Sequence, residues 1–280
     1  MESKKRWWGR RTRWQKFLLL IIVALAVYAA YAVTRPPTLE SAIFTIPVSG
    51  GDDEFRTEGR DPAWSPDGSL IAFTSQDDDN IEAVFTFDLS NSEVTLIANG
   101  GEAAWSPDGA QLALAAEDEA GTMGIYLVDA AGSDVTFVTE GNHPAWSPDG
   151  TTLAFDLTDA TGAVSISLFD IESSAVTTVT EGDEPSWSPD GLSLAIVRED
   201  AAENSEIYIV DLETSEAVLV TEGDDPTWSP DGTTIAFTGE GDEGSMIFTV
   251  QPGSDAIELI QGDAPSWSPE GDQIALARSE

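Results

Sequence analysis

Pro185-Ser186-Trp187-Ser188-Pro189-Asp190-Gly191 holds the phrase that decides the fold. WSPDG occurs five times and a sixth copy reads WSPEG, with tryptophans at Trp64, Trp105, Trp146, Trp187, Trp228 and Trp267. The spacings are 41, 41, 41, 41 and 39 residues. A period in this range marks an array of one supersecondary unit, repeated because a single copy cannot bury its apolar face alone. Pro189-Asp190-Gly191 is turn chemistry: Pro presets φ, Asp tolerates the bridge region and Gly accepts positive φ. Downstream lie LSLAIV, EIYIVDL and EAVLVTE, apolar segments with polar turns between them. With the short stretch around Trp187 they read as four strands. Four-stranded units repeating at about 40 residues are blades of a β-propeller.

The two ends of the array supply an independent check. After the sixth tryptophan the sequence runs only to Glu280, enough for two strands. The stretch before the first, AIFTIPVSGGDDEFRTEGRDPAW (Ala42 to Trp64), resembles MIFTVQPGSDAIELIQGDAPSW (Met246 to Trp267). The first two strands are therefore expected to complete the last blade and close the ring without free edges. The expectation is an all-β, six-bladed propeller of four-stranded blades over residues 42–280.

The frame P-x-W-S-P-D-G-x-x-[IL]-A-[FIL], as in PAWSPDGSLIAF (Pro62 to Phe73) and PTWSPDGTTIAF (Pro226 to Phe237), resembles the WD-type propeller repeat of the TolB family. The resemblance spans residues 42–280. It implies a six-bladed propeller of the bacterial envelope that works by protein–protein contact. The chain departs from TolB in having no room for the α/β domain that precedes the TolB propeller. A similar repeat covers the active sites of prolyl-oligopeptidase-like peptidases, but no hydrolase domain is expected here.

Charge divides sharply along the chain. Eight of the 12 Lys and Arg lie in residues 1–35, where Glu2 is the only acid. The remainder carries 50 acidic against four basic side chains, a formal −46. Nucleic-acid affinity comes largely from basic residues neutralising phosphates, so this surface excludes that class of partner. Cysteine is absent, which removes disulfides and thiolate chemistry. Residues 1–16 are basic and include Trp7, Trp8 and Trp14. Phe17 to Val33 then runs without a charge, about 25 Å as a helix and just enough to span a bilayer core. Basic residues before the span put the amino terminus in the cytoplasm and the propeller outside, periplasmic or extracellular. The alternative is secretion with signal cleavage near Ala32, at Ala30-Tyr31-Ala32. Residues 34–41 form a short linker.

The catalytic inventory is thin. His143 is the only histidine, and no G-x-S-x-G, HExxH or phosphate-binding loop occurs. No catalytic residue, cofactor or enzyme activity is expected. The six tryptophans are read as fold residues packing between blades, each burial contributing on the order of a few kcal/mol. The tetrapeptide before each WSPDG varies: Gly59-Arg60-Asp61-Pro62, Gly101-Glu102-Ala103-Ala104, Gly141-Asn142-His143-Pro144, Gly182-Asp183-Glu184-Pro185, Gly223-Asp224-Asp225-Pro226 and Gly262-Asp263-Ala264-Pro265. In a propeller this connection lies at one mouth of the central channel. Asp61, Glu102, Asp183, Glu184, Asp224, Asp225 and Asp263 are thus expected to form an acidic ring, a candidate site for a hard cation such as Ca2+ or for a small cationic ligand. The leading reading is a membrane-anchored, non-catalytic propeller that binds protein partners in the envelope or outside the cell.

Overall fold

The computed structural model describes residues 41–76, 81–242 and 244–279. The predicted span at 17–33 lies outside these, and among the described residues no helix is long and apolar enough to cross a membrane. Twenty-four strands fill six four-stranded antiparallel sheets. Blade 1 comprises β3 (Arg60–Trp64), β4 (Leu70–Gln76), β5 (Glu82–Asp88) and β6 (Val94–Asn99). Blade 2 comprises β7 (Gly101–Trp105), β8 (Gln111–Glu117), β9 (Met123–Asp129) and β10 (Val135–Glu140). Blade 3 follows with β11 (Asn142–Trp146), β12 (Thr152–Thr158), β13 (Val164–Asp170) and β14 (Val176–Glu181). Blade 4 holds β15 (Asp183–Trp187), β16 (Ser193–Glu199), β17 (Ser205–Asp211) and β18 (Ala217–Glu222). Blade 5 holds β19 (Asp224–Trp228), β20 (Ile235–Gly241), β21 (Gly244–Val250) and β22 (Ile257–Gln261).

Blade 6 is built from both ends of the array, in the order β2-β1-β24-β23, with β1 (Ala42–Pro47), β2 (Glu54–Glu58), β23 (Asp263–Trp267) and β24 (Gln273–Arg278). The β1–β24 register is continuous from Ala42↔Arg278 to Pro47↔Gln273. This is the closure the sequence implied. The first strand of each WSPDG unit is innermost, packing against the equivalent strands of both neighbouring blades. Closure does not remove every edge, contrary to expectation: the outer strand of each blade has a neighbour on one side only.

The core lies between blades. Each second strand carries a small residue between two large ones, as in Leu112-Ala113-Leu114 and Leu194-Ala195-Ile196, all at 0–1% exposure. Ala72 of blade 1 packs with Leu112 and Leu114 of blade 2, and Ala113 of blade 2 packs with Leu153 and Phe155 of blade 3. The small face of one sheet therefore receives the large face of the next, which fills space without strained rotamers. The tryptophans close the inner ends of these seams. Trp105, Trp187 and Trp267 donate Nε1–H to the carbonyls of Ala63, Ala145 and Thr227 in the preceding blade, each at 3.2 Å.

The serine of WSPDG does more than the turn residues beside it suggest. Ser188, 6% exposed, donates Oγ–H to Asp190 Oδ1 (2.6 Å), and its Oγ accepts the Ser193 N–H (3.0 Å). Asp190 also accepts the Leu192 N–H at 3.0 Å. The bonds of Ser and Asp to one another and to the main chain fix the turn from inner to second strand, and Gly191 takes its φ of 71° inside it. The same bracket forms at Ser65, Ser106, Ser147 and Ser229. In the sixth copy Glu270 occupies the aspartate position, and Asp272 accepts the Ser268 bond instead (3.0 Å). Accepted hydrogen bonds hold the pKa of Asp67, Asp108, Asp149, Asp190 and Asp231 below the usual carboxylate range. Ser188→Ala leaves the half-buried Ser193 amide without its acceptor and is expected to cost about 1–2 kcal/mol. Thermal unfolding of the variant should show a melting temperature lower by roughly 2–8 °C.

Candidate functional site

The variable prefix is part of the inner strand, not a connection before it. In blade 4 Asp183 pairs with Val197 and Ser186 with Ala195, so one extra residue is inserted between them. This bulge recurs in all six inner strands. Its central residue adopts a left-handed conformation: Asp61 (φ 51°), Glu102 (52°), His143 (45°), Glu184 (49°), Asp225 (50°) and Ala264 (48°). Bulges re-aim side chains and increase local twist. The preceding glycine is obligatory. At Gly223 (φ 143°) a Cβ would stand 2.6 Å from the Thr238 carbonyl oxygen.

These conformations correct the alignment of blade 2. Gly100 (φ 130°) is its crossing glycine and Glu102 its left-handed residue, so the prefix there is Gly100-Gly101-Glu102-Ala103. The expected acidic ring also separates into two classes. Asp61, Glu102, Glu184 and Asp225 occupy the left-handed positions with His143 and Ala264. Asp183, Asp224 and Asp263 occupy the position before, equivalent to Arg60, Gly101 and Asn142.

The ring is internally wired. Glu184 Oε2 accepts the Asp225 N–H from the next blade at 2.7 Å, and Glu102 Oε2 accepts the His143 N–H at 3.4 Å. Thr74 Oγ1 accepts the Glu102 N–H (3.2 Å) and Thr238 Oγ1 the Ala264 N–H (3.1 Å). Thr238 donates its hydroxyl to Asp225 Oδ2 at 2.8 Å. His143 sits between two acids, with Nδ1 on Asp156 Oδ1 (2.5 Å) and Nε2 3.4 Å from Glu102 Oε1. Arg60 pairs with both Asp61 and Glu82. Thr74, Asp156 and Thr238 are site residues that the prefix alone does not reveal. All three occupy the same place on the second strand, opposite Arg60, Asn142 and Asp224. Their signal was the polar residue after Ala-Phe in AFT, AFD and AFT, where the other blades read ALA, AIV and ALA.

Crowding acids in a half-buried ring disfavours their ionised forms. Burial, then the charge of Asp225, pushes Glu184 up to about 8. Burial, then Asp225 and Asp61, raises Asp263 to about 6. Burial also raises Glu102, Asp183 and Asp225. For His143 burial acts in the opposite direction, but the Asp156 hydrogen bond and the Glu102 charge prevail and raise it to about 9. His143 is therefore a protonated bridge at neutral pH, not a free base. No group of three or more His, Asp or Glu is assembled to hold a metal ion among the described residues. The acidic hairpins joining second and third strands, including Glu117-Asp118-Glu119 and Glu199-Asp200, lie at this same end.

The family model described as the TolB beta propeller domain matches residues 51–184 and 143–280. The chain belongs to the TolB beta-propeller family. Among solved structures, TolB from Acinetobacter baumannii is similar at 21% identity and a TM-score of 0.72, over 88% of this chain and 71% of that one. A putative TolB from Agrobacterium tumefaciens matches at 22% identity and a TM-score of 0.74, over 87% and 99%. An oligogalacturonate lyase in complex with manganese matches at 16% identity and a TM-score of 0.52, over 89% and 99%. At these identities the likeness shows a shared fold alone, one that the lyase also has. A search of curated proteins finds no match.

The raised pKa values have one sign. Each such group stabilises the fold fully below its unfolded-state pKa and loses that contribution as pH rises through the folded value. For Glu184 the window runs from 4.5 to about 8, and for His143 from 6.5 to about 9. Melting temperature should therefore fall between pH 5 and pH 9. Glu184→Gln keeps an acceptor for Asp225 but cannot ionise; it should raise the melting temperature at pH 9 by roughly 2–4 °C, about 1 kcal/mol in a domain of this size. At pH 4.5 it should leave the value unchanged. Thermal melts across pH check both statements.

Proposed function

We propose that this chain is a membrane-anchored, exported propeller that serves the cell envelope as a non-catalytic protein-binding module. The observation that carries the reading is the state of the channel mouth. Its one histidine is locked between Asp156 and Glu102 and protonated at neutral pH. A general base needs a pKa near the working pH, and His143, paired with an acid at each ring nitrogen, stands above it. The rest of the mouth is a strongly acidic, irregular surface on a rigid ring, which supports recognition of a partner. The basic residues 1–16 and the apolar run 17–33 support export with a cytoplasmic amino terminus. Absence of cysteine makes topology directly testable. Ser254→Cys, on an exposed turn between β21 and β22, should react with a membrane-impermeant maleimide in intact spheroplasts. Ser3→Cys should react only after lysis, and the reverse pattern would refute the topology. The full chain, solubilised in detergent, should retain a stoichiometric protein partner from envelope extracts; recovery of none removes the binding-module reading.

A second reading has its own support. The raised pKa values of Glu102, Glu184, Asp225 and Asp263 mark unrelieved negative charge at the mouth. A cationic ligand or Ca2+ would relieve it, at the expense of drawing ring carboxylates away from the amides they accept. Calorimetric titration at pH 7.5 should then show Ca2+ binding that releases protons and weakens in Glu184→Gln. A flat titration with no thermal shift rejects this reading.

A further inference from the structure

The repeat provides its own control, because every position in one blade can be set against five equivalents. At the outer strands this comparison singles out blade 4. Ala217-Val218-Leu219-Val220 is an uninterrupted apolar run on the open edge of its sheet. At the position of Val218 the other outer strands carry Thr95, Thr136, Thr177, Glu54 and, in blade 5, the exposed Ile257, whose run Glu258 breaks at the next position. Val218 is 63% exposed and Leu219 50%. Phe137 and Phe55, exposed on other outer strands, rest edge-on against Tyr126 and Phe44 at 5.4 and 5.7 Å.

A second departure occurs in the same blade. The residue after Pro-Asp-Gly is Ser69, Ala110, Thr151, Thr233 and, in the sixth copy, Asp272, but in blade 4 it is Leu192, 64% exposed. The hydroxyls of Ser69, Thr151 and Thr233 bond to the turn aspartate; Leu192 gives up that bond. Its carbonyl accepts the Leu212 N–H at 3.0 Å, which places it beside the loop leading into β18. Two apolar replacements on one end of one blade gain nothing in the core.

Charge around this edge is one-sided. Glu216 and Glu222 flank β18, and Glu222 stands directly opposite Glu206 on β17. Like charges in such a cross-strand pair repel. Arg198, the nearby cation among the described residues, is committed elsewhere: it donates to the Thr180 hydroxyl (2.6 Å) and the Glu181 carbonyl (3.0 Å) and lies 4.9 Å over the Tyr208 ring.

We propose that the open edge of β18 is a β-addition site for an extended segment of a protein partner, with apolar residues at its centre and Lys or Arg at its ends. Main-chain pairing to the free edge supplies the affinity, Val218 and Leu219 meet the central side chains, and Glu216, Glu206 and Glu222 meet the basic ends. The proposal rests on the binding-module reading and names one surface for it. Hydrogen–deuterium exchange on the full chain in detergent tests it with two capped hexapeptides, KVTVTK and EVTVTE. KVTVTK should slow exchange of the amides at 217–222 at least fivefold, less so in 0.5 M salt, and EVTVTE should not. Restoring blade 3 chemistry with Leu192→Thr, Val218→Thr and Leu219→Thr together should abolish the protection without lowering the melting temperature, because all three side chains are exposed. Equal effects of both peptides, no slowing, or protection that survives in the triple variant would overturn the site. So would protection that grows with protein concentration in the absence of peptide, which would make a second copy the occupant. Envelope capture repeated with the triple variant separates the two levels: unchanged capture overturns the β18 site and leaves the binding-module reading intact, whereas no capture by either chain removes that reading.

Discussion

Ring closure depends on the alternation of small and large residues along each second strand. Ala72, Ala113, Ala154, Ala195 and Ala236 each face the large residues of the following blade. Alanine sets the separation between sheets, and a larger residue there would wedge two blades apart. Interiors packed at crystal-like density transmit such strain rather than absorb it. Because the wedge angle is repeated at every seam, the inner strands meet around one axis and their bulges arrive at one mouth. The functional surface is therefore a consequence of the packing code, not a separate design.

A longer period is nested within the 41-residue one. Odd blades follow the alanine with Phe and a polar residue, in Phe73-Thr74, Phe155-Asp156 and Phe237-Thr238. Even blades use Leu114-Ala115, Ile196-Val197 and Leu276-Ala277. The structure obeys this two-blade beat. Tryptophans of blades 2, 4 and 6 donate across the seam to blades 1, 3 and 5. Arg198 and Arg278, in blades 4 and 6, each bond the carbonyl closing the preceding outer strand and cover a ring on their own third strand. Phe73–Phe85 and Phe237–Phe248 stack in blades 1 and 5. The polar residues on odd blades are the ones that wire the channel mouth, so the ring has approximate threefold rather than sixfold chemistry.

How much of this was legible follows from what each residue answers to. Trp and Pro-Asp-Gly announce the blade because their roles are local: a large apolar ring, a fixed φ, a permitted positive φ. Closure by β1 and β2 was legible because a repeat cut in two leaves complementary ends. The bracket of Ser188 with Asp190 is not legible in sequence, since Ser is common in turns and only the folded turn reveals its two bonds. The left-handed bulge was hidden more deeply. Asp61, His143 and Ala264 share no side-chain chemistry, and what they share is a backbone conformation set by the register with the second strand. For the same reason the Gly100-Gly101 pair admitted two alignments. The acidic ring was visible as composition, but its partners Thr74, Asp156 and Thr238 lie 13 or 14 residues away in sequence and become neighbours only through pairing.

The mouth holds two functions in tension. A left-handed residue presents its N–H away from the ladder, and that donor needs an acceptor. Glu102 and Glu184 supply one to the next blade, which makes them fold residues as well as charges. Converging carboxylates cost free energy, and the ring lowers that cost by holding protons at Glu184 and His143. Protons are exchangeable counter-charges. A cationic group arriving at the mouth competes with them directly, so binding there and proton release are thermodynamically one event. The blade 4 edge lies on the outer rim, where Glu216 precedes and Glu222 ends an apolar strand and both stand in solvent. The channel mouth and the blade 4 edge are thus separate surfaces, because packing between blades keeps them apart.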